Sequence, residues 1–163
     1  MNKKWSIVEL VISCILIMWG TLAFITVIAE IKKMEQTGFT NAINTSVFKL
    51  ILQKHVPLIV CLMAIYGSIT TLMNKKIGWI FCITSCFMFA YFFFLSAKAG
   101  AAQTQQNAFA ANASSYYFSM LLFLLLGVLL LMKPFRIKFK PAGKDWTILV
   151  VIILALLIDK IIY

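Results

Sequence analysis

Charge is what this sequence has least of. Asp, Glu, Lys and Arg make up 12% of its 163 residues, against roughly 25% in a typical soluble domain. So few polar side chains cannot cover a folded domain of this length in water, and the solvent for most of the chain is therefore lipid. Histidine occurs once, as His55, and one imidazole without clustered thiols or carboxylates does not make a metal site. No C-x-x-C, H-E-x-x-H, P-loop or GxGxxG pattern is present, nor a Ser–His–Asp set. With so few acids, bases and nucleophiles, the expectation is a chain that is not an enzyme. No catalytic, metal or cofactor-binding residue is expected, and no cofactor.

What is there is apolar. Hydrophobic residues reach 63%, and the mean hydropathy is +0.97. Five segments approach the ~17–25 residues that cross a ~30 Å hydrocarbon core: 5–29, 56–73, 77–97, 116–132 and 146–163. Continuous apolar runs such as Met120–Met132 do not alternate as barrel strands do, so the spans read as helices. The fold class expected is an all-α membrane protein, a polytopic bundle forming one domain over 1–163. It has five transmembrane helices, or four if the last does not cross. Asp159 and Lys160 interrupt that short last segment. Lys3 and Lys4 precede the first segment like a signal peptide's basic region. A secretory apolar stretch ends after ~7–15 residues, whereas this one runs on to Ala29, so a retained helix is expected.

The net charge of +10 does not form one patch. Basic residues sit in short clusters between the apolar runs, which argues against nucleic acid and for membrane topology. With the N-terminus inside, the cytoplasmic side holds Lys3, Lys4, Lys75, Lys76, Lys133, Arg136, Lys138, Lys140 and Lys144. The outside holds Lys32, Lys33, Lys49, Lys54 and Lys98. Trp5, Trp79 and Trp146 each follow a basic cluster, at the headgroup level that Trp favours, and Tyr116, Tyr117 and Tyr163 fall opposite. The Lys- and Ile-rich composition fits a bacterial coding sequence. The expected location is the inner membrane, multi-pass, with the N-terminus cytoplasmic. Met1-Asn2-Lys3-Lys4 recurs as Met73-Asn74-Lys75-Lys76, but the similarity fades after Cys86 and reads as coincidence.

Between the first two spans, residues 43–54 carry Ile43, Val47, Leu50 and Ile51 on one helical face and Thr45, Lys49 and Gln53 on another. The expectation is a short amphipathic helix in the first outer loop, lying on the leaflet or across the bundle. The alternative is that it runs straight into the second span through Pro57.

Ionisable residues inside a membrane are costly to bury and are functional candidates for that reason. Glu9 lies about 6 Å beyond Trp5 at 1.5 Å per residue. It reads either as an interfacial anchor meeting Lys3 or Lys4, or with Ser13, at i and i+4, as the start of a polar stripe. Asp159 lies about 20 Å along the last helix. It either pairs with Lys98, Lys54 or His55, or sits among the outer headgroups. Ser68 and Thr71, with Gly67, Thr70, Thr84 and Ser85, mark helix contacts or a lined path. Gly20 and Gly127 permit close approach. Cys14, Cys61, Cys82 and Cys86 all fall in apolar runs and read as small fillers. Phe87–Phe94 reads as lipid-facing or core-filling.

The function expected is a non-catalytic subunit of a membrane assembly. The alternative is a small channel or transporter, or a membrane-perturbing effector, acting as a homo-oligomer. The partners expected are the lipid bilayer and either further copies of the chain or other membrane-protein subunits.

Overall fold

A computed structural model describes residues 3–36, 47–103 and 110–162. Six helices account for them: α1 (Lys3–Gln36), α2 (Val47–Leu72), α3 (Lys76–Gln103), α4 (Ala110–Leu131), α5 (Lys133–Phe139) and α6 (Gly143–Ile162). Among the described residues there is no strand. Four helices are long and apolar enough to cross a membrane. A fifth qualifies only as the pair α5 and α6, bent by 111° at the break between them.

The helices overrun the apolar segments that announce them. α1 continues beyond Ala29 to Gln36 and α3 beyond Ala97 to Gln103. Hydropathy marks only the lipid-matched stretch, whereas Ala, Glu, Gln and Lys continue a helix readily outside it. The separate amphipathic helix is corrected for the same reason. Residues 47–54 belong to α2, which carries Pro57 in its interior. No turn residue stands between Lys49 and Val56, and Pro57 withdraws only one backbone donor, a loss membrane helices tolerate. Residues 43–46 lie outside the described residues.

α2 and α3 form a tight antiparallel hairpin. Asn74 adopts a left-handed φ of 61°, which Asn tolerates better than most residues. Its N–H bonds the Thr71 carbonyl at 2.8 Å, and the Lys75 N–H bonds that of Thr70 at 2.9 Å. These are the two bonds of a Schellman cap. Just beyond the turn Gly78 lies against the Thr70–Thr71 backbone, where a Cβ would come within 2.6 Å of the Thr70 carbonyl carbon.

The other seams are also closed by small residues, as packing in lipid favours. A Cβ on Gly20 would meet Ala64 Cβ at 3.2 Å, joining α1 to α2. One on Gly127 would meet Cys86 Cβ at 3.3 Å, joining α4 to α3. Cys61, Cys82 and Cys86 are buried and unbridged, filling space in these seams. α3 is the hub of the bundle, with α2 and α4 as its principal neighbours. Much of the phenylalanine stretch is core: Phe89 is buried, and Phe93 stacks on Phe123 at 5.7 Å with Trp19 against both rings. Phe94 stays exposed.

Trp79 is not part of a lipid-facing belt. It is fully buried, and its indole N–H donates to the Leu130 carbonyl at 2.8 Å. The cause lies in α4. Helix ends leave their last four carbonyls without an N–H partner, and Pro134, four residues on from Leu130, has no N–H to offer. The chain turns at Met132 into α5, which has Pro134 in its first turn and Phe135 and Phe139 buried. Lys140 closes α5 in a left-handed conformation with φ 44°, and Pro141 prevents continuation. α6 then starts with Asp145 accepting the Ala142 N–H at 2.6 Å, the back-reaching half of a capping box. That bond, reinforced by Lys76 at 3.3 Å, holds the Asp145 carboxyl below the usual carboxylate range.

α6 runs the length of the hairpin. Trp146 meets Trp79 near the start of α3, with ring centroids 5.5 Å apart. Asp159 meets His55 in the early turns of α2, and those two places are at opposite ends of the antiparallel pair.

Candidate functional site

The ion pairs gather at the two ends of the bundle, and small polar groups are buried between α2 and α3. At the end holding the α2–α3 turn, Glu9 on α1 is buried at 3% exposure. Lys138 on α5 donates to both of its carboxylate oxygens, at 2.5 and 2.6 Å. The Lys138 ammonium also sits 5.0 Å from the Phe139 ring centroid, and Trp5 meets Phe135 edge-on at 5.8 Å. The aromatic contacts fix α5 across the end of the bundle and thereby aim Lys138 inward.

Among the described side chains, then, the partner of Glu9 is Lys138. The side chains of Lys3 and Lys4, the expected partners, lie outside the description. Phe135 and Phe139, at i and i+4 in a basic stretch, are the signal that one face of 133–139 is buried. Lys138 follows Phe135 at i+3 and so shares that buried side of the helix.

Ser13 follows Glu9 by one turn and is buried at 1%. Ser68 and Thr71 are brought together by Cys82: Ser68 Oγ lies 3.7 Å and Thr71 Oγ1 3.4 Å from its sulfur. The Glu9 carboxylate is within electrostatic reach of that thiol. Most of these hydroxyls are engaged by helix backbone. Ser68 donates to the Ala64 carbonyl at 2.7 Å, Thr70 to Tyr66 at 2.8 Å and Thr84 to Ile80 at 3.0 Å. Ser85 reaches across to the Val60 carbonyl at 3.5 Å. Among the described residues no buried side-chain nitrogen or oxygen lacks a hydrogen-bond partner.

At the opposite end, Asp159 is 2.5 Å from His55 Nε2. Of the three expected partners, His55 is the one the fold selects. Lys54 instead pairs with Glu30 at 2.9 Å, and Lys98 sits 5.9 Å above the Phe94 ring. Glu30 and Lys54 lie 24 residues apart on different helices, and no local pattern announces that pair. A groove of about 310 Å³ opens here, with Trp19, Cys61, Phe89 and Phe93 in its apolar wall and Glu30, Lys54 and Lys160 also lining it.

Among the described residues no three His, Cys, Asp or Glu side chains come together as a metal-binding group. The arrangement can neutralise charge within the chain and hold helix ends together. Compared with protein-family models, with curated proteins and with solved structures, the chain matches none of them.

Proposed function

We propose that this chain is a five-span inner-membrane protein, N-terminus cytoplasmic, that serves as a non-catalytic subunit of a membrane assembly. The observation that supports this most is the buried Glu9–Lys138 pair. Its charge is spent inside the chain, so neither the Glu9 carboxylate nor the Lys138 ammonium is free to act on a proton or a substrate. Other close charge pairs, Glu30–Lys54, His55–Asp159 and Lys76–Asp145, lie toward the two ends of the bundle. Such pairs fix how helices sit against one another, which suits a scaffold. Purification from native membranes in mild detergent tests the reading. A membrane protein should co-elute in fixed ratio, and elution as an unaccompanied monomer would overturn it.

A second reading has its own support. Glu9, Ser13, Ser68, Thr71 and Cys82 are buried polar or soft groups inside the bundle, and a groove beside Glu30 opens at the end holding Asp159. A small channel or transporter, working as a homo-oligomer, would use those groups. Liposomes carrying the protein would then pass ions, and Glu9→Gln would change the flux. Flat traces across several ions dispose of this reading.

A further inference from the structure

The outward side of α5 has a composition that the assembly reading does not use. Lys133, Arg136 and Lys140 recur at i, i+3 and i+7, and all three are exposed. Together with Ile137, Pro141 and Trp146 they line a groove of about 310 Å³, the lower end of the ~300–1,000 Å³ usual for small-ligand sites. Among the described residues none of the three cations faces a carboxylate. The nearby acids are already taken, Glu9 by Lys138 and Asp145 by Lys76 and the Ala142 amide. The groove therefore carries three uncompensated positive charges beside an indole.

The geometry points to a specific site for the phosphate headgroup of an anionic phospholipid, held by Lys133, Arg136 and Lys140 against Trp146. α6 runs along the bundle and the bend to α5 is 111°, so α5 lies nearly across the bundle end. That is the attitude of an interfacial amphipathic helix, with Phe135 and Phe139 turned to the apolar side and cations at headgroup depth. Arg136 offers a fork of donors to phosphate oxygens, and Lys133 and Lys140 supply charge on either side. Trp146 at the same level suits the glycerol and upper acyl region. A soluble phosphate shares the headgroup chemistry but gains nothing from the apolar rim. The occupant is therefore the lipid.

The inference rests on membrane placement and not on the assembly reading, so partner capture and lipid binding can fail independently. Native mass spectrometry of the full chain in detergent, titrated with phosphatidylglycerol or phosphatidylcholine, provides the test. The wild type should bind phosphatidylglycerol more tightly, and the preference should weaken as salt rises. Lys133→Gln, Arg136→Gln and Lys140→Gln should each lower that affinity by roughly fivefold, while phosphatidylcholine binding stays unchanged. Lys75→Gln removes an exposed cation at the same end and should have no such effect. Equal affinity for both lipids overturns the proposal. So does an effect of Lys75→Gln matching the others, or displacement of the lipid by inorganic phosphate at equal concentration.

Discussion

Glu9 and Asp159 are both carboxylates of otherwise apolar helices, yet burial gives them different weights. The Glu9 side chain is 4% exposed and that of Lys138 19%, whereas His55 and Asp159 are 26% and 34% exposed. Breaking a buried pair by removing one partner costs about 3–5 kcal/mol, and replacing both partners by apolar groups is often close to neutral. Glu9→Leu and Lys138→Met should therefore each destabilise the bundle by about 3 kcal/mol. The double variant should recover most of that loss, giving a large coupling energy in a double-mutant cycle. Equilibrium unfolding in mixed micelles measures it, and simple additivity would show that the two charges act separately. Asp159→Asn should cost about 1 kcal/mol or less by the same assay, because partly hydrated pairs contribute little. Trp79 is the uncharged counterpart. Trp79→Phe keeps a ring but strands the Leu130 carbonyl, and a buried unsatisfied acceptor costs about 1–3 kcal/mol. A far smaller loss in the same unfolding measurement would mean that water reaches that carbonyl.

At the scale of the element, the α2–α3 hairpin is the most constrained part of the fold. Gly78→Ala would press a methyl group onto the Thr70–Thr71 backbone, and backbone cannot step aside as a flexible side chain can. A loss of at least 1–3 kcal/mol, the usual range for overpacking, is expected in thermal unfolding. Gly100→Ala, where a Cβ would meet nothing within 4 Å, serves as the neutral comparison. Much of this level was legible beforehand. Hydropathy located the apolar segments, and small residues such as Gly20 and Gly127 marked where helices meet. Helix ends and charge partners were less legible, for different reasons. Helix propensity carries α1 and α3 past their apolar stretches without any hydropathic trace. Glu9 and Lys138 are 129 residues apart, and their pairing depends on α5 folding back across the bundle. That helix has only seven residues, and without its buried Phe135 and Phe139 it reads as a basic loop. Trp79 looked like a membrane anchor because its position at a helix start is the same whether the ring faces lipid or protein. Only the missing N–H of Pro134 distinguishes the two.

For the whole molecule, the decisive element is α6. Asp159 and Lys160 make its composition marginal for a span, and in water such a helix would lie wherever its apolar face found cover. Here both of its ends are tied. Asp145 is held by Lys76 and Trp146 by Trp79 at one end, and Asp159 meets His55 at the other. Trp5, near the start of α1, touches Phe135 at the Lys76 end, so α1 starts and α6 finishes at opposite ends of the bundle. In the topology proposed above the last helix crosses the bilayer, giving five crossings and an N-in, C-out chain. Impermeant thiol labelling of intact cells checks this in a background without native cysteines. Lys98→Cys and Lys160→Cys should react from outside, while Lys75→Cys and Lys144→Cys should react only after permeabilisation. Protection of Lys160→Cys together with labelling of Lys98→Cys would leave four crossings, and the His55–Asp159 contact could not then exist in the membrane. Reversal of all four positions would keep the bundle but invert it, contrary to the five basic residues between Lys133 and Lys144, whose clustering should hold that connection in the cytoplasm.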